Sequence, residues 1–188
     1  MANEAGQIRQ EELDADREAR RRTALVQVRQ YGDPVLRMRA RPVERFDDDL
    51  ARLAERMTRL MQEANGVGLA ANQVGILQRL VVIQPGAEEE PLALVNPELV
   101  ELSGAAETED EGCLSLQGVL VPVERSASVV VEARDPAGAE VRLELEDLAA
   151  RVVQHEVDHL DGVLILDRTT SEARREALSV LRPRIVLT

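Results

Sequence analysis

Two histidines and one cysteine are the softest metal-binding side chains of this chain, and each type occurs nowhere else in it. His155 and His159 stand four residues apart, so on an α-helix they would share one face and could reach a single ion. Cys113 lies in a separate segment, Glu-Gly-Cys-Leu-Ser, at 111–115. Thiolate and imidazole suit zinc, iron and related metals. The three residues together therefore look like one metal site.

Glu156 directly follows the first histidine, which places it about 100° around a helix from that residue. From there a carboxylate can reach a water on the ion without binding the ion, as in HExxH hydrolases. The ion would lower the pKa of the water, and the carboxylate would take up and later return a proton. The pattern indicates metal-assisted hydrolysis.

The third protein ligand is open on spacing alone. One large group of peptidases extends the motif to HExxHxxGxxH, and this chain matches it up to Gly162 but has Ile165 at the position of the third histidine. A more distant glutamate, as in thermolysin-like enzymes, is one alternative. Cys113 from another element is the other.

Leu148 and Val152 fall on the same helix face as the two histidines, at spacings of four, seven and eleven residues from Leu148. This stripe would line a small hydrophobic pocket beside the metal. The alternative is that both residues only fill the core, as apolar helix faces commonly do.

Hydrophobic spacing and turn signals predict the elements that carry these residues. Asp33 and Pro34 are typical of the start of a short helix, and Asp47 begins a stronger one that stops near Asn65. Two later helices are predicted over 146–160 and 171–181. The predicted strands cover 79–83, 92–96, 98–102, 119–123, 128–133 and 140–145. Strands this close in sequence favour antiparallel pairing, and the fold class is α+β.

The 188 residues are enough for one domain with a real core. We predict a charged, flexible extension over residues 1–22, either frayed or a solvated helix, and a single catalytic domain over 23–188.

The single cysteine excludes an intrachain disulfide and fits a reducing compartment. With no hydrophobic signal core at the N-terminus and no apolar run of transmembrane length, we expect a cytoplasmic protein. A net charge of −12 argues against DNA and membrane partners.

Three segments together resemble the signature motifs of the peptide deformylase family: GVGLAANQ at 66–73, EGCLS at 111–115 and QHEVDHLDG at 154–162. The segment GDPVL at 32–36 is also similar to the start of that family, and the resemblance covers about residues 28–182. Departures are Gln117, where many members have proline, and Arg151, which is apolar in some members. We expect neither to touch the metal chemistry.

The resemblance implies an α+β fold with mostly antiparallel sheets packed around the central HExxH helix, and a further C-terminal helix. It implies removal of the formyl group from the N-terminal formyl-methionine of new polypeptides, with release of formate. One divalent ion per chain is expected, Fe²⁺ first, with Zn²⁺, Ni²⁺ or Co²⁺ as alternatives. The implied metal ligands are Cys113, His155 and His159. A water on the ion would attack the formyl carbon, and Glu156 would act as general acid and base.

The resemblance also assigns the remaining roles. The side-chain amide of Gln73 and the backbone N–H of Leu114 would stabilise the oxyanion. Substrate backbone would pair like an added strand with Val67, Gly68 and Gly112. The methionine side chain would enter a pocket lined by Leu148 and Val152.

Nascent formyl-methionyl peptides are the expected partners. A basic last helix would suit a transient ribosome contact, and the favoured alternative is a solvated face whose charges complement the helix dipole. The arginines concerned are Arg174, Arg175, Arg182 and Arg184. Two other functions stay open: an HExxH metallopeptidase, and a catalytically silent homologue that only binds formyl-methionyl peptides. The presence of both Glu156 and Gln73 weighs against the silent homologue.

Overall fold

The computed structural model describes residues 2–86, 88–103 and 105–181, and it confirms the α+β class. The α-helices are α1 (Ala2–Val26), α2 (Asp48–Glu63), α3 (Asp147–Leu160), α4 (Ile165–Arg168) and α5 (Ser171–Leu181). The strands are β1 (Gly68–Ala70), β2 (Leu80–Ile83), β3 (Leu92–Leu102), β4 (Ala106–Glu111), β5 (Val121–Ser126), β6 (Ser128–Arg134) and β7 (Glu140–Glu146). Single 3₁₀ turns cover Pro34–Arg37 and Ala71–Val74.

Two antiparallel sheets surround α3. The larger sheet has the strand order β1-β2-β3-β6-β7, which leaves β1 at one edge, and the smaller sheet pairs β4 with β5. Helix α3 contacts strands of both sheets. Its Ala150 and Val153 are buried in one apolar cluster with Val129 and Val131 of β6. Burial of that face stabilises the helix and fixes its rotation, and therefore sets where its polar side chains lie.

The helix boundaries follow the predicted local signals. The carboxylate of Asp47 caps α2 by accepting from the N–H of Leu50 at 3.2 Å, and that of Asp33 accepts from the N–H of Val35 at 3.0 Å. Asn65, just after α2, has a φ of 55°, a left-handed conformation that ends the helix. Helix α5 has the predicted bounds.

The region around Pro97 differs from the prediction. The two predicted strands, 92–96 and 98–102, are one strand, β3, whose pairing with β6 shifts register between Val95 and Glu98. Asn96 has a φ of 52°, and its side chain bonds the backbone N–H and C=O of Val43 at 2.8 and 2.9 Å. A bulge thus accommodates the proline inside a continuous strand, and the side chain of Asn96 anchors the bulge to the segment that contains Val43. Strands β1 and β4 were not predicted.

Helix α1 begins within the predicted extension and continues beyond residue 22. Ala24 and Leu25 are buried against Met57 and Met61 of α2. The C-terminal end of α1 is thus part of the core, while the division into 1–22 and 23–188 stays a prediction. Arg182 and Arg184 lie outside the described residues. Among the helices of the described residues, none has both the length and the apolar character needed to cross a membrane.

Candidate metal centre and substrate groove

Cys113, His155 and His159 converge at the centre of the molecule, and their donor atoms all lie within 4.8 Å of one another. Sγ of Cys113 is 3.2 Å from Nε2 of His159. The histidines come from α3, whereas Cys113 follows the end of β4, so the contact between the sheet and the helix assembles the cluster. Buried Nδ1 of His159 has no hydrogen-bond partner among the described residues. One thiol and two imidazoles at this spacing fit a tetrahedral zinc or iron site with an open fourth position.

A hydrogen bond fixes the orientation of the His155 ring. Nδ1 of His155 lies 3.0 Å from Oε2 of Glu111, and a carboxylate can only accept, so Nδ1 carries the proton. The other ring nitrogen then has the lone pair that an ion needs.

The two imidazoles titrate differently. Burial lowers the pKa of His155, but hydrogen bonds with Cys113 and Glu111 outweigh it and leave the pKa well above its usual value. Burial, reinforced by the charge of His155, holds the pKa of His159 well below its usual value. His159 is therefore neutral, as a ligand must be, whereas an ion would displace one proton from His155.

Glu156 is buried beside this cluster, directly under β1. A Cβ at Gly68 would come within 2.3 Å of Oε1 of Glu156, so the backbone can pass there only because residue 68 is glycine. Burial raises the pKa of Glu156 to about 7, against the opposing charge of His155. A carboxyl group with a pKa near neutrality can both accept and return a proton.

The amide of Gln73 is held in one orientation. Its Oε1 accepts from the N–H of Ala70 at 2.7 Å, and its Nε2 donates to Oγ of Ser115 at 3.1 Å. The same Nε2 lies 3.7 Å from Sγ of Cys113. Leu114 directly follows Cys113 and lines the cavity. The N–H near the thiol is that of Ser115, which donates to Sγ of Cys113 at 3.4 Å.

A cavity of about 640 Å³ opens onto Cys113, His155 and Glu156. All the residues predicted to bind substrate line it: Val67, Gly68, Gly112, Leu148 and Val152. Val152 is buried, whereas Val67 and Leu148 are 45% and 52% exposed at the rim. Helix α1 also contributes to the wall, which sequence reasoning missed.

Glu111 is paired with a buried arginine. Arg125 donates to both of its carboxylate oxygens, at 2.9 and 3.0 Å, and both side chains are buried. Burial by itself raises the pKa of Glu111, but the hydrogen bonds from His155 and Arg125 outweigh it and lower the pKa to about 2. Glu111 is thus a permanent anion that orients a candidate metal ligand, His155.

Two contacts of this buried cluster were not predicted. Asp158 of α3 accepts from Arg125 and from Arg168, which carries the network to the surface. Arg151, expected to stay clear of the metal chemistry, donates to Oε1 of Glu111 at 2.9 Å. Its position one turn before His155 on α3 was the available signal, because residues four apart share a helix face.

Comparisons with known proteins agree with this geometry. The polypeptide deformylase family model matches residues 25–175. A peptide deformylase of Thermotoga sp. (strain RQ2) is 48% identical over 150 residues, covering 80% of this chain and 90% of the relative. One from Dictyoglomus thermophilum is 48% identical over 146 residues, covering 78% of this chain and 94% of the relative.

Solved structures give the same result. The crystal structure of peptide deformylase from Thermotoga maritima superposes with a TM-score of 0.73 at 49% identity, covering 76% of this chain and 96% of that one. A peptide deformylase from Synechococcus elongatus in complex with actinonin gives a TM-score of 0.77 at 43% identity, covering 82% of this chain and 84% of that one.

Proposed function

The chain belongs to the polypeptide deformylase family and is a hydrolase that removes N-formyl groups, and from this premise we propose the roles of its residues. Cys113, His155 and His159 hold one divalent metal ion. The convergence of these donors and Glu156 on one cavity is the observation that carries the proposal. When bound, the ion lowers the pKa of a water molecule and polarises the formyl oxygen. We infer Fe²⁺ as the native ion from the family resemblance, although the same donors accept zinc, nickel or cobalt.

Glu156 takes the proton of the attacking water and delivers it to the nitrogen that leaves. Its burial and its pKa of about 7 suit both steps at neutral pH. Gly68 keeps the overlying backbone close without displacing the carboxylate. The Glu156 side chain is buried, and burial strengthens the electrostatic interactions of its carboxylate.

The oxyanion that forms on the formyl group is stabilised by Nε2 of Gln73 and the backbone N–H of Leu114. Gln73 is preorganised for this role, because its hydrogen bonds to Ala70 and Ser115 fix the direction of the amide. Donors held in place before the reaction stabilise developing charge at no cost of reorientation.

Formyl-methionyl N-termini of nascent polypeptides are the substrate. Because β1 is an edge strand, an extended peptide can pair with Val67 and Gly68 and pass Gly112 on the other wall. The methionine side chain enters beside Leu148 and Val152. A ribosome contact through α5 stays a prediction, and of its arginines Arg174 lies 3.7 Å from Asp167 of the same chain.

Formate release from formyl-Met-Ala-Ser tests the proposal. Protein prepared without oxygen and loaded separately with Fe²⁺, Ni²⁺ or Zn²⁺ should release formate, with Fe²⁺ among the active ions. Glu156→Ala should keep its ion and lose at least about a hundredfold in kcat. Unchanged turnover by Glu156→Ala would contradict the role of Glu156, and peptide binding without turnover in the unsubstituted protein would favour the silent homologue.

A further inference from the structure

The C-terminal turns of α1 form part of the substrate cavity. Most of this helix precedes residue 25, where the match to the family begins. Leu25 is buried in the core cluster that also contains Met61 and Ala64, at the end of α2 that leads into the loop before β1. One turn earlier on the same helix face, Arg21 lines the cavity together with Gly66.

Arg21 places a positively charged side chain at this wall of the cavity, and that side chain makes only a weak contact within the chain. Its side chain is 39% exposed, and its recorded ion pair is with Glu18 of the same helix at 3.8 Å. Exposed pairs of this kind contribute little. Arg151, a second arginine of the cavity, is 10% exposed and bound to Glu109 and Glu111. The Arg21 guanidinium, with this one exposed contact, is therefore more available to a ligand than that of Arg151.

The position of Arg21 relates to a particular part of the substrate. Gly68 lies against Glu156 and marks the reacting end of the groove. Val67, Gly66 and Asn65 precede it and line the same cavity, and Leu25 of α1 packs in one cluster with Met61 and Ala64, which lead into that segment. An extended peptide advances about 3.3 Å per residue. The second and third residues after the methionine would therefore reach the end where Arg21 lies.

We propose that α1 extends the substrate groove and that Arg21 is a specificity-determining residue, which favours formyl-methionyl peptides with an acidic side chain at the second or third residue after the methionine. The proposal rests on the proposed function, in particular on the peptide pairing along the edge before β1. Asp110 of β4 lines the same cavity and is exposed. The negative charge of Asp110 would repel the acidic substrate side chain that Arg21 attracts. The two residues therefore set the preference together.

Formate release from formyl-Met-Ala-X-X amides, with X as Glu, Gln or Lys, tests the proposal on the metal-loaded full chain. Arg21→Gln should lower kcat/KM for the Glu peptide about two- to fivefold, the size expected for an exposed ion pair, through KM with kcat kept. The Gln peptide should be unaffected, and Arg21→Lys should retain most of the preference. Asp110→Asn should raise kcat/KM for the Glu peptide.

Arg22→Gln is the matched control, since Arg22 is the next residue of α1, also pairs with Glu18, and does not line the cavity. It should leave all three peptides unchanged. An equal effect of Arg21→Gln on all three peptides, or none, would overturn the proposal. Failure of the unsubstituted enzyme to release formate from the Gln peptide would contradict the proposed function itself.

Discussion

Arg125 and Arg142 each bind two carboxylates, but they lie in contrasting regions of the molecule. Arg125 is 5% exposed and lies between Glu111, which bonds the candidate metal ligand His155, and Asp158. Arg142 is 49% exposed on β7, where it pairs with Glu101 and Glu132. The contacts are similar in number and type, so the difference between the two lies in their access to water.

Access to water determines how much each arginine and its two carboxylates contribute to folding stability. Around Arg142 the solvent replaces any lost partner, so the ion pairs contribute little to folding. Around Arg125 water cannot replace a lost partner, so the remaining buried charges are less well compensated. The buried cluster also bonds His155 through Glu111, so the same residues support the fold and orient a candidate metal ligand. The exposed cluster has no such second role.

The largest expected effect is on stability. Arg125→Leu should lower the free energy of unfolding by about 3 kcal/mol, the lower end for a broken buried ion pair, because Glu111 keeps Arg151 and Asp158 keeps Arg168 as partners. Arg142→Leu is the matched control and should change it little. Urea unfolding of both variants measures this, and similar losses in the two would contradict the comparison.

The second effect is on metal affinity. Glu111→Gln should weaken binding of the ion about 10- to 100-fold, because a neutral amide holds the His155 ring less firmly than a carboxylate and makes it a weaker ligand. Competition with a coloured chelator gives the dissociation constant. Glu132→Gln, which removes a partner of Arg142, should leave the affinity as it is. A weakened affinity there as well would show that the effect is not specific to the buried cluster.

The third effect is a pH dependence of stability. The pKa of Glu111 is about 2 in the folded chain, against an ordinary value of 4.5. A lowered pKa means that this carboxylate stabilises the fold above pH 4.5 and that the contribution is lost as the pH falls from there towards 2. The difference in unfolding free energy between the unsubstituted protein and Glu111→Gln should therefore shrink over that interval. A constant difference would be inconsistent with the lowered pKa.

The smallest expected effect is a difference in substrate binding and stability between a side chain at the rim of the groove and one in its interior. Leu148→Ala should raise KM for formyl-methionyl peptides by about tenfold at most while leaving stability nearly unchanged, since the side chain is 52% exposed. Val152→Ala, at a buried position of the same wall, should lower both stability and substrate binding. Equal stability losses in the two variants would show that Leu148 belongs to the core.

Local signals in the sequence were sufficient to predict α2, α3 and α5 and the three residues of the candidate metal cluster, whereas α4 was not predicted. The cap residue Asp47 and the spacing of His155 and His159 depend on neighbours within a few residues, so a sequence pattern records them. Strand β4 was missed because its sequence, AETEDE, has no apolar alternation, and its pairing with β5 stabilises it instead. Strand β1 was missed because it is only three residues long.

The supporting part of the site was harder to predict for the same reason. The contacts of Arg151 and Arg125 join α3 to both strands of the smaller sheet, and no local pattern specifies such pairings. Arg21 is harder still, since its place at the cavity depends on the burial of Leu25 against α2. The roles of residues whose partners lie far away in the sequence can be identified only from the folded structure.

X-ray absorption at the zinc edge of the zinc-loaded enzyme tests the central claim most directly, that a thiolate and two imidazoles hold the ion. We expect one sulfur at about 2.3 Å and two imidazole nitrogens at about 2.0–2.1 Å. Cys113→Ala should remove the sulfur contribution, because Cys113 is the only cysteine. A shell of oxygen and nitrogen alone in the unsubstituted enzyme would contradict the account.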